Sequence, residues 1–131
     1  MKSREGIVRL KRFQVEEKRR QVSQIQIMIA EFEKISVDLE KQIAFEEEKA
    51  GITDKEHFAY PTFAKAAELR RVNLEVSTNE LRGKLDAAND ELQDALEDLQ
   101  AAEKREARDG GAIDEGADFA SAKNQSQFMI G

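Results

Sequence analysis

The 131-residue chain is 37% charged, contains one proline and no cysteine, and carries a net charge of -6. A composition this charged and this poor in proline favours extended helix over a compact globule, and without cysteine neither a disulfide nor a thiolate metal site can form. The hydrophobic 40% includes many alanines and no tryptophan, which suits a thin apolar seam and leaves no thick interior for an enzyme's active site.

The first segment, MKSREGIVRLKRF, scatters charges through its apolar residues. It therefore reads as neither a signal peptide nor a membrane span, and a cytoplasmic protein with no direct membrane insertion is expected. Residues 1 to 20 hold eight Lys or Arg against three Glu, so the remaining 111 residues carry the whole acidic balance.

The first helix is expected over about residues 3–49. Val8, Val15, Val22, Ile29 and Ile43 recur at multiples of seven, with Ser36 interrupting, and Ile25, Phe32 and Leu39 follow three residues behind, giving a heptad seam. Met28 and Ile35 widen the stripe. Lys11 and Lys18 stand where the second series needs apolar residues, so this end is expected to hold together less tightly.

A structured turn is expected over 50–61. Gly51 ends the first helix, Thr53 with Glu56 has the form of a capping box for a short helical turn, and Pro61 opens the next helix. The second helix is expected over about 61–108, with Ala67, Leu74, Leu81, Ala88, Ala95 and Ala102 spaced by sevens and Leu85, Leu92 and Leu99 between them. Alternating Leu and Ala lets a partner helix rich in Ile, Val and Phe come close.

Two helices of roughly equal length around a short connector predict an all-α fold, an antiparallel two-helix coiled-coil hairpin. Charge supports the direction: folding the chain back lays Arg9 to Arg20 beside a stretch containing Asp94, Glu97, Asp98 and Glu103. The hairpin domain is thus 1–108, and the glycine-rich 109–131 is expected to be a flexible tail whose final Phe128, Met129 and Ile130 are either an unstructured apolar end or a docking peptide.

Chemistry is hard to place on such a chain. No phosphate-binding loop, Ser/His/Asp constellation or metal-ligand cluster is evident, so no cofactor is expected and the chain reads as a non-enzyme. His57, the one histidine, reads as a packing or surface residue. The basic run Lys11, Arg12, Lys18, Arg19 and Arg20 is interleaved with acids on an acidic chain, so an acidic protein surface is a better match than nucleic acid. Phe45, Phe58, Tyr60 and Phe63 concentrate aromatic residues near the turn, as exposed interface anchors or as a seal packed on itself.

The segments LKRF (Leu10 to Phe13), EEKRRQV (Glu16 to Val22), AGITDKEHFAYPTFAKAAELRR (Ala50 to Arg71) and LRGKL (Leu81 to Leu85) together resemble the flagellar export protein FliJ family in its alphaproteobacterial form. The most distinctive part is the turn HFAYP, His57 to Pro61. The resemblance covers the hairpin and leaves the glycine-rich tail without a counterpart. It implies a soluble coiled-coil component of the flagellar type III secretion apparatus, recruited to the cytoplasmic face of the flagellar base at the inner membrane. The implied partners are the export ATPase, the export-gate cytoplasmic domain and export chaperones, with the chain itself a monomer. On that likeness Leu10, Lys11, Arg12, Arg19 and Arg20 are candidates for the ATPase ring, and Phe58, Tyr60 and Phe63 for a second partner. The competing expectation is a structural scaffold that homodimerises through exposed apolar positions such as Met28 and Ile35.

Overall fold

A computed structural model describes residues 2–113. It contains two long helices packed against each other as an all-α hairpin, α1 over Lys2–Ala50 and α2 over Thr62–Ile113, with no strand among the described residues. The expected boundaries hold within a residue except at the end of α2, which continues past Arg108 through Gly110 and Gly111. Residues 109–113, expected in the tail, are therefore helical. Glycine in a helix costs about 1 kcal/mol relative to alanine, which lowers propensity without forbidding a helix that is already propagating. The rest of the expected tail, with Phe128, Met129 and Ile130, lies outside the described residues.

The chain divides into two compact units, one formed by the start of α1 with α2 from Ala88 onward, the other by Val22–Ala87 including the turn. In the first, Val8, Val15, Leu99 and Ala102 form a buried cluster, with Leu92, Ala95 and Leu96 packed on it. The lysines that break the heptad there do not open the seam. Val15, between them in sequence, is 1% exposed, while Lys11 and Lys18 extend to Asp98 at 3.9 Å and Glu91 at 3.4 Å. Long lysine stems cover apolar surface while their ammonium groups stay at the water.

In the second unit Leu39, Ile43, Tyr60, Ala64 and Ala67 form the core, and Ile35, Ile52 and Leu74 pack against it. The small Ala64 and Ala67 accommodate the bulkier Leu39, Ile43 and Tyr60, which matches the size complementarity expected of the seam. Thr78 takes a buried seam position, its hydroxyl satisfied by donating to the Leu74 carbonyl at 2.7 Å. That self-bonding is what lets a polar residue stand in an apolar stripe.

The turn begins as expected and continues differently. Gly51, with φ at 71°, ends α1: its N–H reaches the Glu47 and Glu48 carbonyls and the Ile52 N–H reaches Glu47, the Schellman pattern, with Ile52 supplying the accompanying apolar contact. The expected capping box at Thr53 does not form. Asp54 takes the role instead, its Oδ1 accepting from the Glu56 N–H at 3.0 Å, and two successive turns, Asp54 to His57 and His57 to Tyr60, replace the short helix. A short carboxylate that bonds two residues ahead competes well with a helical turn. Pro61 then caps α2, its carbonyl accepting from the Lys65 N–H.

Candidate functional site

The candidate residues fall in both units. On α1 in the first unit, Lys11 and Arg12 are turned toward α2, Lys11 to Asp98 and Arg12 to Glu103 at 3.6 Å. The Arg12–Glu103 pair is too long to be a hydrogen bond: Arg12 Nε and Nη2, Glu103 Oε2 and the nearby-in-sequence Glu106 Oε2 are shielded from water yet have no hydrogen-bond partner. A shielded charge without hydrogen bonds gains little from its position, so moving Arg12 outward sacrifices no hydrogen bond. Among the acids expected to face this segment, Asp98 and Glu103 do so. Among the described residues Asp94 and Glu97 make no ion pair with α1, and Glu91 serves instead.

Leu10 and Arg20 point away from the seam, and Arg19, one heptad after Arg12, is exposed beside it. Leu10 is 52% exposed, Arg19 approaches only Glu16 of its own helix at 3.8 Å, and Arg20 is exposed with no ion pair among the described residues. Leu10 has company that the heptad reading passed over. Ile7 and Phe13, three residues to either side, are exposed as well, and Arg9 and Arg20 stand one and two helical turns from Phe13. The signal was present in the sequence as an i, i+3, i+6 apolar row off the heptad positions.

In the second unit the aromatic residues separate into two kinds. Tyr60 is 7% exposed, packed in the core, and its hydroxyl donates to Glu47 Oε2 at 2.7 Å. That hydrogen bond, with burial and the charges of Glu47 and Glu68, pushes the phenol up to about 12. Tyr60 therefore seals the turn and is not available as an interface anchor, a correction to its grouping with Phe58 and Phe63. Phe58 is 97% exposed, its ring stacked on His57 with centroids 4.8 Å apart, and Phe45 and Phe63 are exposed too. His57 itself acts locally, its Nδ1 accepting from the Ala59 N–H at 3.0 Å.

Near Tyr60 in the same unit lies its densest charge network. Arg71 bonds Glu68 through two nitrogens, at 2.7 and 3.0 Å, and approaches Glu40 and Glu75, while Lys55 reaches Glu68 at 3.6 Å. The hydrogen bonds from Arg71 hold the Glu68 carboxyl below its ordinary range against the opposing effect of burial.

Among the described residues no group of three or more His, Cys, Asp or Glu is placed to hold a metal ion, and no helix is long and apolar enough to cross a membrane. What the arrangement offers chemically is contact surface: an apolar row with arginines on one unit, and exposed aromatic rings beside a sealed turn on the other. Comparison with family models, with curated proteins and with solved structures returns no match.

Proposed function

We propose that the chain is a coiled-coil adaptor of the flagellar type III protein export apparatus, binding the export ATPase ring and promoting its assembly and turnover. The observation that carries this reading is the exposed row Ile7, Leu10 and Phe13 with Arg9 and Arg20 along it. A protein surface that is apolar at its centre and cationic at its rim suits an acidic protein groove, with the apolar side chains as anchors and the charges guiding encounter. Lys11 and Arg12 shape the hairpin end and contribute less contact, since both are engaged with α2. Phe58 and Phe63 form the surface for a second partner, the export-gate cytoplasmic domain or an export chaperone, with the work done at the cytoplasmic face of the flagellar base. The sequence resemblance supplies the identity of these partners, and the exposed side chains supply places for them to bind.

The test is ATP turnover by the flagellar export ATPase of the same organism, with and without this chain. Stimulation by the native chain, and its loss in a variant carrying Leu10→Ala, Arg19→Glu and Arg20→Glu with unchanged helix content, is the expected result. Among the described residues these three side chains make no hydrogen bond or ion pair across the seam, and the unchanged helix content excludes a folding defect. No stimulation by the native chain at micromolar excess sinks the reading.

A further inference from the structure

On the face of α2 that turns directly away from α1, Leu69, Val72 and Val76 are 64%, 43% and 55% exposed. Their spacing of three and then four residues makes them a continuous apolar stripe, separate from the seam residues Ala64, Ala67, Thr78 and Leu81. A helix whose seam face is already buried has no use within its own fold for a second stripe opposite the first. Lys65 stands one turn before the stripe and Glu80 one turn after it, both exposed and neither in an ion pair among the described residues.

The ends of this pattern are symmetric about a point between Val72 and Asn73, while Val72 itself falls beside Asn73 of a copy related through that point. Leu69 lies as far before that point as Val76 lies after it, and Lys65 as far before as Glu80 after. An antiparallel copy of the same helix, related by a twofold axis through that point, places Leu69 opposite Val76 of the second copy at both ends of the stripe. It places Lys65 opposite Glu80 of the second copy twice. Gly83 extends the match. A side chain there would meet nothing within 4 Å, so no neighbour in the fold requires a glycine in mid-helix. In the symmetric pairing Gly83 falls opposite Thr62 of the second copy, where a missing side chain lets the backbones approach.

We propose that this face of α2, Thr62 to Gly83, is an isologous contact with a second copy of the chain. Self-complementarity of charge at Lys65 and Glu80 and of the apolar ends Leu69 and Val76 in one register is what a twofold interface demands of a single surface. A different protein as occupant would need no such symmetry. Three apolar side chains per copy make a small patch, so the pairing is weak and reversible, with a dissociation constant on the order of 10 to 100 µM. It includes none of Leu10, Arg19 and Arg20, so sedimentation reads its failure separately from that of the export reading, whose implied monomer it revises to a weak dimer.

Sedimentation velocity of the full chain, from about 5 to about 500 µM, tests it. The expected result is a mass that rises from one chain to two, and a single chain throughout for Val72→Glu, which faces solvent and leaves the seam intact. Lys65→Glu alone and Glu80→Lys alone each set like charges opposite one another and weaken pairing about tenfold. The double variant restores it, because the swapped charges meet again across the twofold axis. A single-chain mass at every concentration overturns the proposal, as does a dimer that Val72→Glu leaves intact or a double variant as weak as either single one.

Discussion

The two units solve the same problem, holding a pair of helices together with a narrow seam, by different means. The unit containing the start of α1 and the later part of α2 relies on Val8, Val15, Leu99 and Ala102, with cations on α1 reaching acids on α2 at Lys11–Asp98, Arg12–Glu103 and Lys18–Glu91. The unit containing the turn reverses the signs, with Glu40 and Glu33 of α1 meeting Arg71 and Arg82 of α2. It adds a covalent connection, a glycine-capped helix end and the Tyr60–Glu47 hydrogen bond. Surface ion pairs contribute roughly 0 to 1 kcal/mol each, so the reversal matters for pairing direction and register more than for stability. Both units rest on an apolar cluster and on ion pairs that salt screens, and the turn unit adds local chemistry that titrates.

The strongest way to break this comparison is Leu99→Ala. Leu99 is among the most deeply buried side chains, and its truncation is expected to cost about 3 kcal/mol by lost transfer energy and the cavity left behind. Hydrogen exchange should show the loss in the unit containing Leu99, with Val22–Ala87 protected as before. Equal loss in both units means they unfold as one and the contrast is only geometric.

Gly51→Ala acts on the other unit through the backbone. Its added methyl meets no atom within 4 Å, so the effect isolates the positive φ, expected to cost about 1 kcal/mol in a urea melt. A neutral substitution would show that α1 ends equally well without the left-handed glycine.

A subtler distinction is in pH dependence. Tyr60 is the one tyrosine in a chain without tryptophan, so absorbance near 295 nm reports it alone. The folded phenol ionises at about 12 against an ordinary 10.0. Raised in the folded state, it contributes stability that is complete below pH 10 and lost as the pH climbs from 10 to 12. Tyr60→Phe should abolish that loss, and an absorbance midpoint near 10 would remove the Glu47 hydrogen bond from the account. Glu68 works in the opposite sense: its carboxyl is held low by Arg71, so its contribution is present above the ordinary 4.5 and fades as the pH falls through the folded value. Glu68→Gln should flatten that part of the acid limb.

The smallest expected effect comes from Lys18→Glu, which sets like charge against Glu91 for a loss of about 0.5 kcal/mol, fading as salt is raised. A salt-independent loss would point instead to the packing of the lysine stem.

The sequence by itself determined the fold class, both helices, and the break between them, because a heptad repeat, a helix-ending glycine and a proline act through neighbours a few residues away. It also determined the pairing direction, since the charges of the two halves match only when the chain doubles back. Phe58 and Phe63 were legible as aromatic residues beside the turn, whereas Leu10 and Arg20 entered through the resemblance and their exposure is seen only in the structure. What sequence spacing could not reveal depended on contacts between distant segments. Tyr60 reads like its aromatic neighbours, and only the arrival of Glu47 and the seam alanines turns it inward. Thr53 reads as the cap, and the path of the turn gives that role to Asp54 instead. The acidic stretch facing Lys11 and Arg12 was legible, but which acid each one meets, Asp98 and Glu103, is set by the packed helices. Leu69, Val72 and Val76 gain meaning in the same way. Their periodicity is visible in the sequence, but that they remain uncovered is decided only when the seam takes the opposite face of α2.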